Sequence, residues 1–296
     1  MTWINAIIQG MLLGGEYALI ACGLSLTFGV MRLVNVAHGD LAVCGAYLGL
    51  VLSSALGVPV WYTLPLVLPA AFVIGMALQA LLFGRALQAG ALASVLVTFG
   101  LSVMIENLLQ VAGSASPRGL NGGRLALASF TIDGHVTVSW LLATAFLAAL
   151  TALSGLQLAL SRTSWGRMVR AIADDLDAAR LVGIHVRRVF ATVAGVAVAT
   201  AALAGVFIGT ISTFDPYTGS ASLIFAFEAV VIGGLGSLWG TLAGGVVLGV
   251  VQQVVGQWNE QYAVLAVHLL FLLVLAVRPA GLFAVDQSVL DARAAG

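Results

Sequence analysis

From residue 4 to residue 277 the chain passes repeatedly through apolar stretches that reach or exceed the ~20 residues needed to cross a hydrocarbon core at about 1.5 Å per residue. With 61% apolar and only 8% charged residues, it cannot dress itself in the charged surface of a water-soluble domain. A single all-α domain over 1–296 is expected, a polytopic transmembrane bundle of about eight segments including a broken or re-entrant helix pair. The first stretch, 4–30, follows no basic residue and carries Glu16 near its middle, so it reads as a retained helix rather than a cleaved signal.

The twelve basic residues are all arginine. A chain without lysine has no Walker A loop and no Schiff-base chemistry, so any ATP must be bound by another chain. Zero formal charge and the lack of a basic strip give nucleic acid no footprint. Cys22 and Cys44 lie in apolar segments without metal-ligand spacing and read as packing residues. The carboxylates are scattered, with no Ser, His and Asp set on one scaffold, so no reaction and no metal are assigned.

Because short loops rich in arginine stay inside, Arg32, Arg85 and the run from Arg162 to Arg188 set the orientation. Segment 4–30 then runs inward, 36–58 outward and 61–84 inward, with Trp61 and Tyr62 in the outer belt and Pro65 and Pro69 bending the third span. Segment 91–111 runs outward into a long polar connection, 113–135, and 138–160 returns. Arg118 and Arg124 in that connection breach the rule mildly, against six arginines between 162 and 188. Segment 189–211 leads out to a turn at 215–219. The stretch 222–256 is interrupted at Gly233, Gly234 and Gly236, and the freed backbone is expected to face the protein interior. Segment 262–277 ends inside, followed by a tail with Asp286, Asp291 and Arg293. Glycines four apart, such as Gly10 and Gly14 or Gly245 and Gly249, favour close helix packing. A loose likeness of 35–49 to 227–245 hints at an internal repeat.

The connection 161–189 is the only long charged stretch. A short surface helix is expected near Asp174, Asp175 and Asp177, ended by Gly183 in a left-handed conformation. Its arginines alone could do no more than fix topology. The pattern Asp177-Ala178-Ala179, with Gly183 four residues on, resembles the EAA loop of ABC importer permeases, although the downstream Ile-x-Leu-Pro is absent.

Over nearly its whole length the chain resembles the high-affinity branched-chain amino acid permease family, the H-type subunit of the Liv system. The matching pieces are 17–40, which closes on Asn35-Val-Ala-His38-Gly39-Asp40, then Gly45-Ala-Tyr47, Gly166-Arg-Met-Val-Arg-Ala171, Gly233-Gly-Leu-Gly-Ser237 and Arg278-Pro-Ala-Gly-Leu-Phe283. The resemblance implies a multi-pass subunit of the bacterial inner membrane, embedded in lipid. It would pair with a second homologous permease and receive solute from an extracytoplasmic binding protein. Two ATP-binding subunits would carry the ATP and magnesium. It also implies that Thr163, Gly166, Arg167, Arg170, Asp177, Ala178, Ala179 and Gly183 belong to a helix that docks on the ATPase. Leucine, isoleucine and valine are the first-choice solutes on the same ground.

Glu16, Glu106, Glu228 and His268 fall inside expected spans, where a charge costs about 2.5–3.5 kcal/mol on insertion scales. Glu16 and Glu228 read equally as pathway groups or buried structural acids, Glu106 as an acid reaching the interface, and His268 as a packing residue. Asn35, His38, Gly39 and Asp40 read as a hydrogen-bonded hinge in preference to a proton-sensitive pair. Composition by itself also permits a secondary carrier or channel for a small neutral solute such as urea or an amide, or a structural scaffold without any pathway.

Overall fold

The computed structural model describes residues 2–113, 115–132 and 136–282. His135, Phe283 and the tail residues Asp286, Asp291 and Arg293 lie outside the described residues.

In chain order the helices are α1 (Thr2–Met31), α2 (His38–Leu56), α3 (Leu64–Leu78), α4 (Gly84–Ala89), α5 (Ala91–Gly113), α6 (Arg124–Leu127), α7 (Trp140–Arg162), α8 (Ser164–Asp174), α9 (Leu176–Leu181), α10 (Val186–Ile211), α11 (Thr218–Gly233), α12 (Leu238–Trp258) and α13 (Glu260–Val277). A 3-10 turn at Val60–Thr63 and a π-helical turn at Gln79–Phe83 join α3 and α4 into one bent span, Val60–Ala89. Among the described residues eight helices are long and apolar enough to cross a membrane, and α11 is a shorter apolar helix. The connection expected as irregular is partly ordered: Ser129–Ile132 (β1) and Val136–Ser139 (β2) pair antiparallel. Gln9 donates to the Thr137 carbonyl and ties α1 to that hairpin.

Two breaks interrupt the helical path. At the end of α1 the chain turns on Arg32, whose φ of 51° is left-handed, and climbs back into the bundle as an extended stretch with Leu33, Asn35 and Ala37 buried. The Val36 N–H is satisfied by Thr98 Oγ1 of α5 at 3.2 Å, and the His38 imidazole reaches the Ile20 carbonyl at 2.9 Å. Ile20 lies about 16 Å back along α1 from Met31, so α2 starts well inside the bundle. The second break, 212–217, follows α10. There Phe214 is buried against Tyr47, and α11 begins directly against the start of α2.

Close glycine contacts fix the directions. Helix α12 runs antiparallel to α1, with Gly10 on Val250, Gly14 on Val246 and Gly29 on Gly236, and antiparallel to α11, with Gly233 on Gly240 and Gly244 on Ala229. Helix α10 starts at the arginine-rich end, where α1 stops. The two units, a long helix, a re-entering stretch and a helix that begins at depth, therefore run in opposite senses. The correspondence is 32–40 with 212–219, instead of the expected 35–49 with 227–245. Inverted repeats of this form build many transporters around a central site.

The interruption at 233–237 proves to be the tip of the α11–α12 hairpin, close to the arginine-rich end. Gly234 and Gly236 take φ of 95° and 84°, Gly236 packs on Gly29, and Leu282 N donates to the Ile232 carbonyl at 2.8 Å. Leu235 and Gly236 are exposed, so this turn does not face the interior as a mid-membrane break. The backbone freed at depth belongs to 32–37, held by α1 and α5, whereas 212–217 exposes Ser212, Thr213 and Tyr217 and pairs through Phe214 with Arg118 of the polar connection.

Candidate functional site

The first turns of α2 and α11 abut. A Cβ built at Gly39 would lie 2.0 Å from the Gly219 carbonyl oxygen, and one at Gly219 would lie 2.3 Å from Asp40 Oδ1, so only glycine admits this approach. Two helix N-termini, each carrying about half a positive charge, converge on the Asp40 carboxylate. Asp40 is 1% exposed, and neither of its oxygens meets hydrogen-bond geometry with a protein donor. Ser102 and Glu106 of α5 are its polar neighbours, Ser102 lying near without forming that bond. Glu106 accepts from Ser220 Oγ at 2.6 Å, and the Tyr217 hydroxyl donates to Gln110 Oε1 at 3.2 Å. His38 is buried and bonds to α1, so His38 and Asp40 form no pair. Asn35 Oδ1 accepts from Ala37 N at 3.2 Å and shapes the entry to α2.

From sequence Glu106 is expected to reach the interface. The structure joins it instead to α11 through Ser220, and spacing along one helix cannot reveal a bond to a helix more than a hundred residues away. Glu106, Gln110, Ser220 and Tyr217 are only partly covered or exposed, whereas Asp40 and Ser102 stand behind them. On the same face of α11, Ile224 and Phe227 are exposed below Ser220.

A second buried polar group joins α1, α11, α12 and α13. The Tyr17 hydroxyl donates to Gln252 Oε1 at 2.5 Å and its ring stacks on Phe225 with centroids 4.8 Å apart. Phe225 in turn stacks on His268, whose Nδ1 lies 2.6 Å from Glu228 Oε1. Glu228 Oε2 and Glu16 Oε2 are buried without a partner. His268 is thus satisfied, through one of the acids whose role its sequence position left open.

At the arginine-rich end, 161–189 folds into α8 and α9, two short helices where one was expected. Thr163 caps α8 by accepting from Gly166 N at 3.0 Å, and Asp175 caps α9 by accepting from Asp177 N and Ala178 N at 2.9 and 3.0 Å. Asp175 thus ends one helix and starts the next. Helix α8 sets Gly166, Val169 and Ile172 against the bundle, and a Cβ at Gly166 would lie 2.2 Å from the Leu160 carbonyl oxygen. Arg170 donates to that same carbonyl. Arg167 is exposed, Asp177 pairs with Arg180 at 3.0 Å, Ala179 is buried and Ala178 is not. Gly183 adopts φ of 85° after α9. Leu181 and Val182 protrude, 88% and 76% exposed. Replacing Asp175 with alanine is expected to cost about 1 kcal/mol of α9 stability. Faster amide hydrogen exchange over 176–182, with α8 unchanged, is the readout.

A family model described as the permease component of branched-chain amino acid transport systems matches residues 6–277. A Salmonella typhimurium protein, the high-affinity branched-chain amino acid transport system permease protein LivH, is 30% identical over 295 residues, covering 95% of each chain. The Pseudomonas aeruginosa permease protein BraD of the same kind of system is 28% identical, also over 95% of each chain. The Escherichia coli permease protein LivM is 26% identical over 90% of this chain and 67% of its own length. No solved structure matches the chain significantly.

Proposed function

The chain belongs to the family of permease components of branched-chain amino acid transport systems, and from that membership we propose that it forms one half of the pore of an importer for branched-chain or similar small neutral amino acids. It is a multi-pass membrane protein and a transport subunit, not an enzyme, and the family leaves no room for the carrier, channel or scaffold alternatives. Its partners in this reading are a second permease of the LivM kind, two ATP-binding subunits holding ATP and magnesium, and an extracytoplasmic solute-binding protein.

The observation that carries the reading is the connection between α7 and α10. Its apolar side is seated on the bundle while Arg167, Asp177, Ala178, Leu181 and Val182 point away, as a surface that must grip a partner would. Thr163, Asp175 and the left-handed turn at Gly183 shape that surface, and Gly166, Arg170 and Ala179 fix it to the membrane helices. The grip must favour one orientation of the pore over the other, because equal affinity for both shifts nothing. A cavity of about 460 Å³ between α8 and α1, bounded also by Gly236, leaves room for that movement. In this reading the arginine-rich end faces the cytoplasm.

The solute path is proposed along α5 and α11, past Glu106, Ser220 and Gln110, with Asp40, Gly39, His38 and Asn35 holding the junction behind. Polar groups exposed at membrane depth belong on a wet or partner-covered surface. Glu106 offers a carboxylate to the ammonium of an amino acid, and Ile224 and Phe227 offer an apolar wall to its side chain. Glu16 and Glu228 are assigned a structural part, linking α1 and α11 to α12 and α13. Glu106→Gln is expected to assemble normally and to lose about 1.5–3 kcal/mol of transition-state stabilisation, roughly ten- to a hundredfold in uptake. Unchanged uptake of leucine by that variant would remove Glu106 from the path.

The decisive experiment reconstitutes the chain with its ATP-binding, binding-protein and second permease partners and measures uptake of leucine, isoleucine, valine, amides and urea. Accumulation of the branched-chain amino acids that stops when ATP is withheld is the expected result. Uptake that persists after 163–183 is replaced by an unrelated linker contradicts the proposed grip.

A further inference from the structure

A hollow of about 920 Å³ opens at the arginine-rich end between the bent third span and the start of α10. Arg85, Arg180, Arg187, Arg188 and His185 line it, and among the described residues no carboxylate does. Among the described residues only Arg180 of these arginines has an acidic partner, Asp177. Topology needs arginines on this end, but it does not need four of the chain's twelve around one hollow, where like charges repel. The floor reaches Gln79 in the π-helical turn, ten residues or about 15 Å from the end of α4 at Ala89. Gln79 is 3% exposed and its Oε1 lacks a hydrogen-bond partner. Apolar side chains, Leu87 and Phe190 among them, line the rest, and Leu81 and Leu82 stand exposed on the same bent span.

An occupant must therefore carry an anionic end for the arginines and an apolar body for the deeper wall. We propose that this hollow binds an anionic phospholipid such as phosphatidylglycerol, its phosphate between Arg85, Arg187 and Arg188 and its acyl chains along the apolar wall that includes Leu87 and Phe190. Free phosphate shares the charge but not the apolar body. The surface of a soluble ATPase would meet the rim arginines but not a floor this far inside a span.

The test uses the whole transporter, this chain with its partner subunits, in nanodiscs of phosphatidylcholine containing a minor share of photoactivatable phosphatidylglycerol. Mapped crosslinks are expected to concentrate in 79–90 and 176–190, and excess inorganic phosphate is expected to leave them in place. Each arginine near an anionic headgroup contributes about a fivefold factor, so the R85Q, R187Q, R188Q triple variant should bind the lipid roughly a hundredfold more weakly, whereas R162Q, at the same end but outside the hollow, should not. Crosslinks spread evenly around the bundle in the wild-type complex overturn the proposal, and that reading needs no variant to fold. Displacement by inorganic phosphate overturns it in favour of a free-anion site. A triple variant that sheds the ATPase while keeping its lipid assigns the hollow to the ATPase instead.

Discussion

Gly39→Val is expected to abolish uptake and to leave little intact transporter, whereas Gly100→Ala should be neutral or mildly stabilising. Overpacking costs about 1–3 kcal/mol where side chains can shift aside. At Gly39 the obstacle is the Gly219 carbonyl, 2.0 Å from the added carbon, and it belongs to the first turn of another helix. Relief requires α11 to move, and α11 is packed along α12 through Gly233, Gly240 and Gly244. The cost should therefore exceed that range. Nothing lies within 4 Å of a Cβ at Gly100, and alanine improves helix propensity there by up to about 1 kcal/mol. Size-exclusion profiles of a fluorescent fusion compare the two directly. A monodisperse Gly39→Val protein with full uptake would mean that the two half-helices do not meet as described.

The second large effect is expected at the tip of α9. Leu181→Asp combined with Val182→Asp should leave the bundle folded, because both side chains are more than three-quarters exposed, and yet release the ATP-binding subunits during purification. Two protruding apolar residues at the centre of a docking surface are worth about 2–4 kcal/mol to the complex, some thirty- to a thousandfold in affinity. Undiminished co-purification of the ATPase would place its contact elsewhere on this face.

Much of this architecture could be read from residue order. The spans follow from the length of the apolar runs, and the left-handed end of α9 follows from Gly183. The extended stretch at 32–37 was harder to read, because Leu33, Val34 and Val36 are apolar and look like the start of a helix. Only the turn at Arg32 and the bonds to Thr98 and Ile20 reveal that the chain doubles back before α2 begins. The glycines at 233–236 misled for the opposite reason. Small residues mark tight turns at any depth, and composition does not record how deep a turn lies. The Glu106–Ser220 and His268–Glu228 contacts arise from tertiary packing of helices far apart in sequence, which no local spacing encodes. Asp177-Ala178-Ala179 draws attention to the α7–α10 connection, and the residue that shapes α9 there is the neighbouring Asp175, whose capping role the three closely spaced acids do not single out.

The meeting of Gly39 with Gly219 also bears on how the protein is made. Until the ribosome has delivered residue 219, the Asp40 carboxylate lacks the helix start that closes over it. The amino-terminal half must therefore wait, sheltered by insertion machinery or by its own transient packing, for a segment synthesised some 180 residues later. Its hydrophobicity carries it into the bilayer early, but its final shape is reached only once that later segment has followed.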